Sequence, residues 1–138
     1  MAGKILLEVV TPEKQLLSQQ VDEVIAPGSE GEFGVLPGHC YFLSTLRIGE
    51  LRYRVGDQIH HMAILWGYAE VTPTKVTVMA EIAEKAEDID VGRAQAAVEK
   101  AEQRLKAGGL PSEVKEAEIS LEKARLRKKI AERARKIG

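Results

Sequence analysis

From residue 4 to about residue 80, apolar and polar positions alternate with the two-residue period of β-strands. The clearest alternations lie at 5–10 and 50–55, and Gly56-Asp57 predicts a two-residue hairpin into a further strand at 58–65. Further short strands are predicted at 14–18, 21–26, 32–36 and 75–80. Many short strands between frequent turn signals predict an antiparallel β-sandwich, or flattened barrel, in this part of the chain.

The composition changes at about Glu81, where Ala, Glu, Lys and Arg replace the β-branched and aromatic residues. Asp88 is the expected N-cap of a first helix, and Asp90 is expected in its first turn, where a carboxylate interacts favourably with the helix dipole. Apolar residues then recur at helical spacing, at Ala94, Ala97 or Val98, Ala101 and Leu105. We therefore expect an α+β protein with a β-sandwich at 1–84 and a helical domain at 85–138.

A second helix follows after a short link, because Gly108-Gly109 ends the first helix and Pro111-Ser112 begins the next. Such a short link predicts an antiparallel helical hairpin. The second helix carries two apolar stripes, Val114, Ala117, Leu121 and Ala124 on one side and Ile119, Leu126, Ile130 and Ile137 on another. Alanine dominates the facing positions and buries little area. The pattern leaves open whether the hairpin stays docked on the β domain or swings away.

The formal net charge of -1 hides an uneven distribution of charge. Residues 122–138 hold eight basic and two acidic residues, and the first 121 residues hold 12 basic and 19 acidic residues. The basic segment is open to three interpretations: a solvated helix face, a nucleic-acid contact, or a contact with an acidic protein surface. The acids are too few to pair with it, and the tail has no aromatic residue for base stacking. A basic arm on an acidic body favours self-docking or an acidic protein partner.

Cys40 is the one cysteine, so no internal disulfide is expected, and a reducing compartment fits this usage. We expect Cys40 to be a small buried side chain. The N-terminal residues Met1–Lys4 lack a signal-peptide pattern, and no apolar run approaches the roughly 20 residues of a membrane span. Any membrane association is therefore expected to come through a partner.

Residues of catalytic or metal-binding type do not form a recognisable set in the sequence. His39 has no second spaced ligand pair near it, and the strand neighbours His60 and His61 are expected to point to opposite faces. Met62 and Trp66 are expected in the core. No nucleophile and base are suitably spaced, so an enzyme is the least favoured class and no metal site is expected.

The stretch from Val24 to His39 is the most distinctive part of the sequence, and its spacing alone predicts only a tightly turned β ribbon. Its glycines match neither a dinucleotide fingerprint nor a P-loop. However, the run APGSEGEFGVLPGH at 26–39 resembles the signature of the ε subunit of bacterial and chloroplast rotary F-type ATP synthases. The order of TLRIGEL at 45–51, GYAEV at 67–71 and VTVMA at 76–80, before a helical tail, agrees with this family.

The resemblance implies a non-catalytic rotor subunit on the cytoplasmic face of a bacterial inner membrane, with the thylakoid as a second setting. In that family the sandwich binds the γ subunit and the ring of c subunits, and Glu30, Glu32, Gly38 and His39 match the contact loop. The helical tail can reach acidic segments of the catalytic β subunits and block ATP hydrolysis. The basic residues matched to this inhibitory role are Lys123, Arg125, Arg127, Lys128, Lys129 and Arg133.

The resemblance also implies ATP as a regulatory ligand, because some bacterial ε subunits bind ATP through an Ile/Leu-Asp-x-x-Arg-Ala motif. Here Ile89, Asp90, Arg93 and Ala94 match that motif, and Arg127 matches a further arginine. An aspartate can accept from the adenine amino group, and guanidinium groups suit phosphates. This chain departs from the nucleotide-binding members at Lys100 and Lys123, where lysine keeps the charge but loses the forked donors. The competing interpretation is that Asp90 is a helix-start acid and Arg93 a solvated charge.

Two other classes of function compete with a rotor subunit. A stand-alone ATP-sensing module predicts ATP affinity in the isolated chain that is lost on Asp90→Ala or Arg93→Ala. An adaptor that presents helical tentacles from a β body predicts a symmetric self-oligomer, whereas an ε-like subunit is expected to be monomeric when free.

Overall fold

The computed structural model describes the backbone of residues 3–137 and the side chains of residues 3–133. The chain divides into two compact units between Lys85 and Ala86. The first unit holds eight strands: β1 (Ile5–Val10), β2 (Gln15–Val21), β3 (Glu23–Gly28), β4 (Gly31–Val35), β5 (Phe42–Leu46), β6 (Gly49–Val55), β7 (Gln58–Val71) and β8 (Lys75–Lys85). The second holds a short 3-10 helix (Ala86–Asp88) and the helices α1 (Val91–Ala107) and α2 (Pro111–Ile137).

Strand β7 organises the sheet because it pairs with three other strands. Its first part pairs with β6, its last part with β5, and β8 lies along both. The strand order is β2-β1-β8-β7-β5-β3-β4, and β6 pairs with β3 and β7. β1 and β8 are parallel, while the other pairs among the described strands are antiparallel. The predicted sandwich followed by two helices is confirmed, with one parallel pair that the sequence did not reveal.

The core of the sandwich follows the alternation of apolar positions. Ile5, Leu7 and Val9 have no exposed surface, as their alternation on β1 predicts. Leu51 and Tyr53 are buried on β6, and the hairpin at Gly56-Asp57 pairs Val55 with Gln58 as predicted. The core is built from side chains between residues 5 and 83, so it lies wholly within the first unit.

Strand β7 turns a corner where its partner changes from β6 to β5. Ile64 and Ala69 both face the core although they are an odd number of positions apart, so the alternation changes phase between them. Trp66 has a φ of 58° and Gly67 a φ of 150° at this point. Left-handed backbone costs a residue with a side chain about 1 kcal/mol or more. Such bends are how strands pass between the layers of a sandwich.

The corner directs Trp66 away from the core, so the prediction that Trp66 is a core residue is wrong. Its side chain is 37% exposed, whereas Met62 is 1% exposed and was predicted correctly. Strict alternation from Met62 and Ile64 would have placed Trp66 inside. The prediction that Cys40 is buried is also wrong, because Cys40 lies between strands and is exposed.

Asp22 connects three segments at one end of the sandwich. Its carboxylate accepts from Lys4 Nζ at 2.6 Å and from the backbone N–H of Gly56 at 2.7 Å, and Arg54 Nη1 lies 3.9 Å away. The hydrogen bond from Lys4, followed by that from Gly56, lowers the pKa of Asp22 below its ordinary value. The carboxylate therefore ties the start of β1 and the β6–β7 turn to the β2–β3 junction.

Helix α1 begins at Val91 with Asp90 as its N-cap, so the prediction of Asp88 as N-cap is wrong. Asp90 Oδ1 accepts from the N–H of Arg93 at 3.1 Å, while Asp88 lies in the preceding 3-10 helix. Gly108 ends α1 with a φ of 71°, and α2 begins at Pro111 as predicted. The glycine is needed there because a positive φ at a helix end is costly for other residues.

The two helices meet along a narrow seam of Val98, Ala101, Leu121 and Ala124, with Leu105 packed at its edge. Position 98 therefore carries the helical periodicity, and Ala97 is exposed. In the second predicted stripe, Ile130 is buried and Ile119 and Leu126 are half-buried, while the side chain of Ile137 lies outside the described residues. Each alanine lacks three carbons of a leucine, so it forgoes about 2 kcal/mol of burial.

Candidate functional site

Glu30 and Glu32 lie at the tight turn between β3 and β4. Gly28 pairs with Gly31 across this turn, and a Cβ on Gly28 would lie 2.7 Å from the Gly31 carbonyl oxygen. Only glycine allows this close approach, so the glycine at position 28 sharpens the turn. Both carboxylates are exposed there, and Glu32 Oε1 accepts from Arg52 Nη2 at 3.3 Å.

Gly38 and His39 lie at the other end of β4. The Gly38 N–H donates to the Pro73 carbonyl at 2.8 Å, and the His39 ring is 6.3 Å from the Phe42 ring. The five residues of β4 separate these two from the turn at Glu30 by about 17 Å. The structure therefore places the four predicted contact residues in two groups at opposite ends of one strand.

A band of apolar side chains crosses the outer surface of the sandwich. The strand registers place Tyr68 opposite Met79, and Met79 opposite Val10, across three neighbouring strands. Leu43 on β5 lies diagonally next to Tyr68, since Leu43 pairs with Glu70 and Tyr68 with Thr45. Leu43 is 68% exposed and Tyr68 is 50% exposed. We call these four residues, Leu43, Tyr68, Met79 and Val10, the apolar face.

The apolar face was not predicted from the sequence. A signal was present, because Leu43 and Tyr68 occupy strand positions of the same parity as the polar Thr45 and Glu70. An apolar residue among the polar positions of a half-exposed strand marks an outward apolar site. Tyr41 continues the exposed surface beyond Leu43 and is 79% exposed.

A buried ionic cluster lies on strands β6 and β7. Glu50 is 5% exposed, although it occupies one of the polar positions in the alternation at 50–55. Its carboxylate accepts from Arg52 Nη1 at 3.1 Å and lies 2.8 Å from His61 Nδ1. Burial opposes the charge on Arg52, but hydrogen bonding to Glu50 and the nearby Glu32 outweigh it and raise the pKa of Arg52. Partner charges thus compensate for the burial of Glu50.

The histidines do not converge on one site. His60 stacks on Tyr53 with ring centroids 5.0 Å apart, whereas His61 turns to Glu50 on the other face, as their adjacent positions predict. Among the described side chains of residues 3–133, no three His, Cys, Asp or Glu come close enough to hold a metal ion. No helix in the same range is both long and apolar enough to cross a bilayer.

The residues of the ATP motif lie at the start of α1. Asp90 uses one carboxylate oxygen to cap the helix, Arg93 is exposed, Ile89 is half-buried and Ala94 is buried. Arg127 on α2 is half-buried. Asp90 therefore has a structural role that does not depend on any ligand.

The basic residues of α2 are distributed around the helix. A groove between the helices is lined by Gln95, Val98 and Glu102 of α1 and by Arg125, Lys128, Lys129 and Glu132 of α2. Arg125 Nη2 lies 3.6 Å from Glu102 Oε2. Lys123, Arg127 and Arg133 are half-buried and do not line this groove, and the side chains of Arg135 and Lys136 lie outside the described residues.

Comparison with known families assigns both units. Residues 4–86 match the family model described as the beta-sandwich domain of the ATP synthase Delta/Epsilon chain. Residues 87–132 match the model of its long alpha-helix domain. The chain therefore belongs to the ATP synthase delta/epsilon chain family, which confirms the resemblance noted in the sequence.

Curated relatives of this chain are named ATP synthase epsilon chain. The ATP synthase epsilon chain of Syntrophobacter fumaroxidans is 55% identical over 133 residues, covering 96% of this chain and 99% of the relative. That of Geobacter sulfurreducens is 49% identical over 137 residues, covering 97% and 98%.

Solved structures agree with these relatives. A chain of the Euglena gracilis mitochondrial ATP synthase superposes with a TM-score of 0.79 at 26% identity, over 91% of this chain and 79% of that one. A chain of the Tetrahymena thermophila enzyme, from its central stalk and c-ring, gives a TM-score of 0.60 at 16% identity over 94% and 98%. The second likeness concerns the fold alone.

Proposed function

We propose that this chain is a non-catalytic subunit of the central stalk of a proton-translocating ATP synthase. Its sandwich binds the γ subunit and the c-subunit ring, and so couples the catalytic head to the rotor. The complex holds it at the cytoplasmic face of a bacterial inner membrane. The family membership and the F1/c-ring assembly that contains a similar chain support this proposal.

The observation that carries the proposal is the apolar face. Leu43 and Tyr68 are 68% and 50% exposed, and they lie side by side with Met79 and Val10 on neighbouring strands. Contiguous exposed apolar surface of this kind marks a protein interface. Such an interface accounts for Leu43 and Tyr68 at outward positions, where the fold itself does not need them.

Leu43→Asp in the full chain tests this docking surface. The matched control is Leu110→Asp, since Leu110 is 64% exposed but lies at the tip of the helical hairpin. Both changes alter exposed positions, so neither is expected to alter folding by more than about 0.5 kcal/mol. We expect Leu43→Asp to abolish rebinding to an ATP synthase depleted of this subunit. Equal binding by both variants would refute docking through the apolar face.

The helical hairpin acts as a conformational brake on ATP hydrolysis. The narrow, alanine-containing seam buries little apolar area, so the packing of the two helices is only marginally stable. The basic residues of α2 suit an acidic surface on the catalytic β subunits. Neutralising Arg125, Lys128 and Lys129 together is expected to raise hydrolysis by the assembled complex. The matched control neutralises Lys100, Arg104 and Lys106 on α1. Equal effects of the two variants would reject a specific role for α2.

ATP is the regulatory ligand proposed for the hairpin, bound by Ile89, Asp90, Arg93, Ala94 and Arg127. The cap makes Asp90→Ala ambiguous, because it removes both a helix cap and the proposed ligand contact. Asn caps a helix as well as Asp does, so Asp90→Asn isolates the carboxylate. We expect titration calorimetry to detect ATP binding by the wild-type chain and a clear loss in both variants. Undetectable binding at millimolar ATP would reject the ATP site.

A further inference from the structure

The corner of the sandwich holds a large aromatic residue in a conformation that suits glycine. Trp66 has a φ of 58°, which is rare for bulky side chains. Strained backbone of this kind persists where the surrounding structure holds it, and it clusters at functional sites. The side chain is nevertheless 37% exposed, so core packing uses only part of this residue.

A groove of about 510 Å³ opens beside Trp66. Trp66 and Tyr68 line it from β7, Thr11 and Pro12 line it from the loop after β1, and Met79 lines it from β8. Tyr68, Met79 and Val10 belong to both the groove and the apolar face, so the two form one continuous surface. Among the described residues that line the groove, Glu81 is the charged one.

We infer that Trp66 is an anchor residue for the stalk partner, and that its groove receives an apolar side chain of the γ subunit. This inference rests on the proposed docking function. A lysine or arginine beside that apolar side chain is expected to meet Glu81, because an acid at the rim of an apolar groove favours a cationic neighbour. Partly exposed tryptophans in interface grooves are frequent hot spots of binding.

Three variants of the full chain separate docking from folding. Trp66→Ala removes the ring and keeps a side chain in the left-handed conformation, whereas Trp66→Gly removes the ring and relieves that strain. Ile59→Ala is the control, because Ile59 lies on the same strand, is 47% exposed and does not line the groove. We expect both Trp66 variants to bind the depleted complex roughly 30-fold more weakly, and Ile59→Ala to bind like the wild type.

Fluorescence gives a second and direct measurement, because the chain contains one tryptophan. Its emission is expected to shift to shorter wavelength on docking, as the indole leaves water. The spectrum of the complex rebuilt with Trp66→Phe is subtracted to remove the emission of other subunits.

The outcomes distinguish this inference from the function on which it rests. Equal weakening in Trp66→Ala and Trp66→Gly, with a blue shift in the wild type, supports the anchor. Weakening in Trp66→Ala alone would overturn it, because the effect would then follow backbone strain. Wild-type affinity in both variants would also overturn it, while leaving docking intact. Failure of the wild-type chain to bind would contradict the proposed function, and the anchor with it.

Discussion

Gly67→Ala is expected to destabilise the sandwich severely, because the chain has no room for a Cβ at this position. That atom would lie 2.1 Å from the Met79 carbonyl oxygen and 2.8 Å from Ala80 Cα, where real contacts essentially never fall below 3.0 Å. Both obstructing atoms belong to the backbone of β8, which pairs with β7 on both sides of the corner. They cannot rotate away as a side chain could, so the two strands must separate.

Gly38→Ala is the control variant that separates the cost of backbone strain from the cost of the steric clash. Gly38 also has a positive φ, of 86°, but a Cβ there would meet nothing within 4 Å. Its cost is therefore conformational strain alone, about 1 kcal/mol. Gly67→Ala adds an overpacking cost of about 3 kcal/mol or more to a similar strain. For a domain of this size, Tm is expected to fall by about 5 °C in Gly38→Ala and by about 15 °C or more in Gly67→Ala.

Thermal unfolding followed through the emission of Trp66 measures this difference, because the fluorophore lies next to the corner in the sandwich. Circular dichroism at 222 nm follows the helices in the same samples. Similar Tm values for the two variants would refute the close packing of β7 against β8. A loss confined to the helical signal would refute it as well.

Three further predictions concern polar contacts. Because Lys4 and Gly56 lower the pKa of Asp22, its ionised form stabilises the fold above the ordinary value of 3.8, and this contribution is lost as pH falls through the lower folded pKa. Asp22→Asn should therefore lower Tm at pH 7 and weaken its acid dependence, and an unchanged acid dependence would contradict this. Asp90→Ala should lower the free energy of unfolding of the hairpin by about 1 kcal/mol, and Asp90→Asn should lower it little, as measured by urea unfolding. Equal losses of stability in the two variants would exclude a capping role for Asp90. Glu50→Ala removes the buried partner of the half-buried Arg52 and should cost about 3 kcal/mol, more than Glu32→Ala at the exposed end of the cluster, and the reverse order would contradict the burial of Glu50.

The alternation of apolar residues was enough to predict the β-sandwich and much of its core. The alternation at Ile5, Leu7 and Val9 predicts that they face the core, because burial on one side of a strand selects apolar residues at every second position. The helical hairpin was equally predictable, since Gly108 and Pro111 act through local backbone preferences.

The corner at Trp66 could not be predicted from the same pattern. Its conformation depends on the exchange of β6 for β5 as the partner of β7, which is a tertiary event. The apolar character of Trp66 therefore predicts a buried side chain, whereas the side chain is partly exposed. The prediction that Cys40 is buried was wrong for a related reason. Cys40 lies before β5 and outside any strand, so the alternation of buried and exposed strand positions does not apply to it.

The candidate contact residues illustrate a further limit. Glu30 and His39 are close in sequence, and a signature motif presents them as one site, but they lie at opposite ends of β4. Asp88 and Asp90 are both plausible caps by residue type. Only the 3-10 helix at Ala86–Asp88 decides between them, because it moves the helix start by two residues.

The most direct test of the central claim restores an ATP synthase depleted of this subunit with the full chain or with a chain ending at Asp88. The shorter chain keeps the whole core of the sandwich. ATP hydrolysis and proton pumping are measured in the same vesicles. We predict that both chains restore coupled pumping and that the full chain alone suppresses hydrolysis. Coupling that neither chain restores would contradict a central-stalk role, and equal hydrolysis with both chains would contradict the brake.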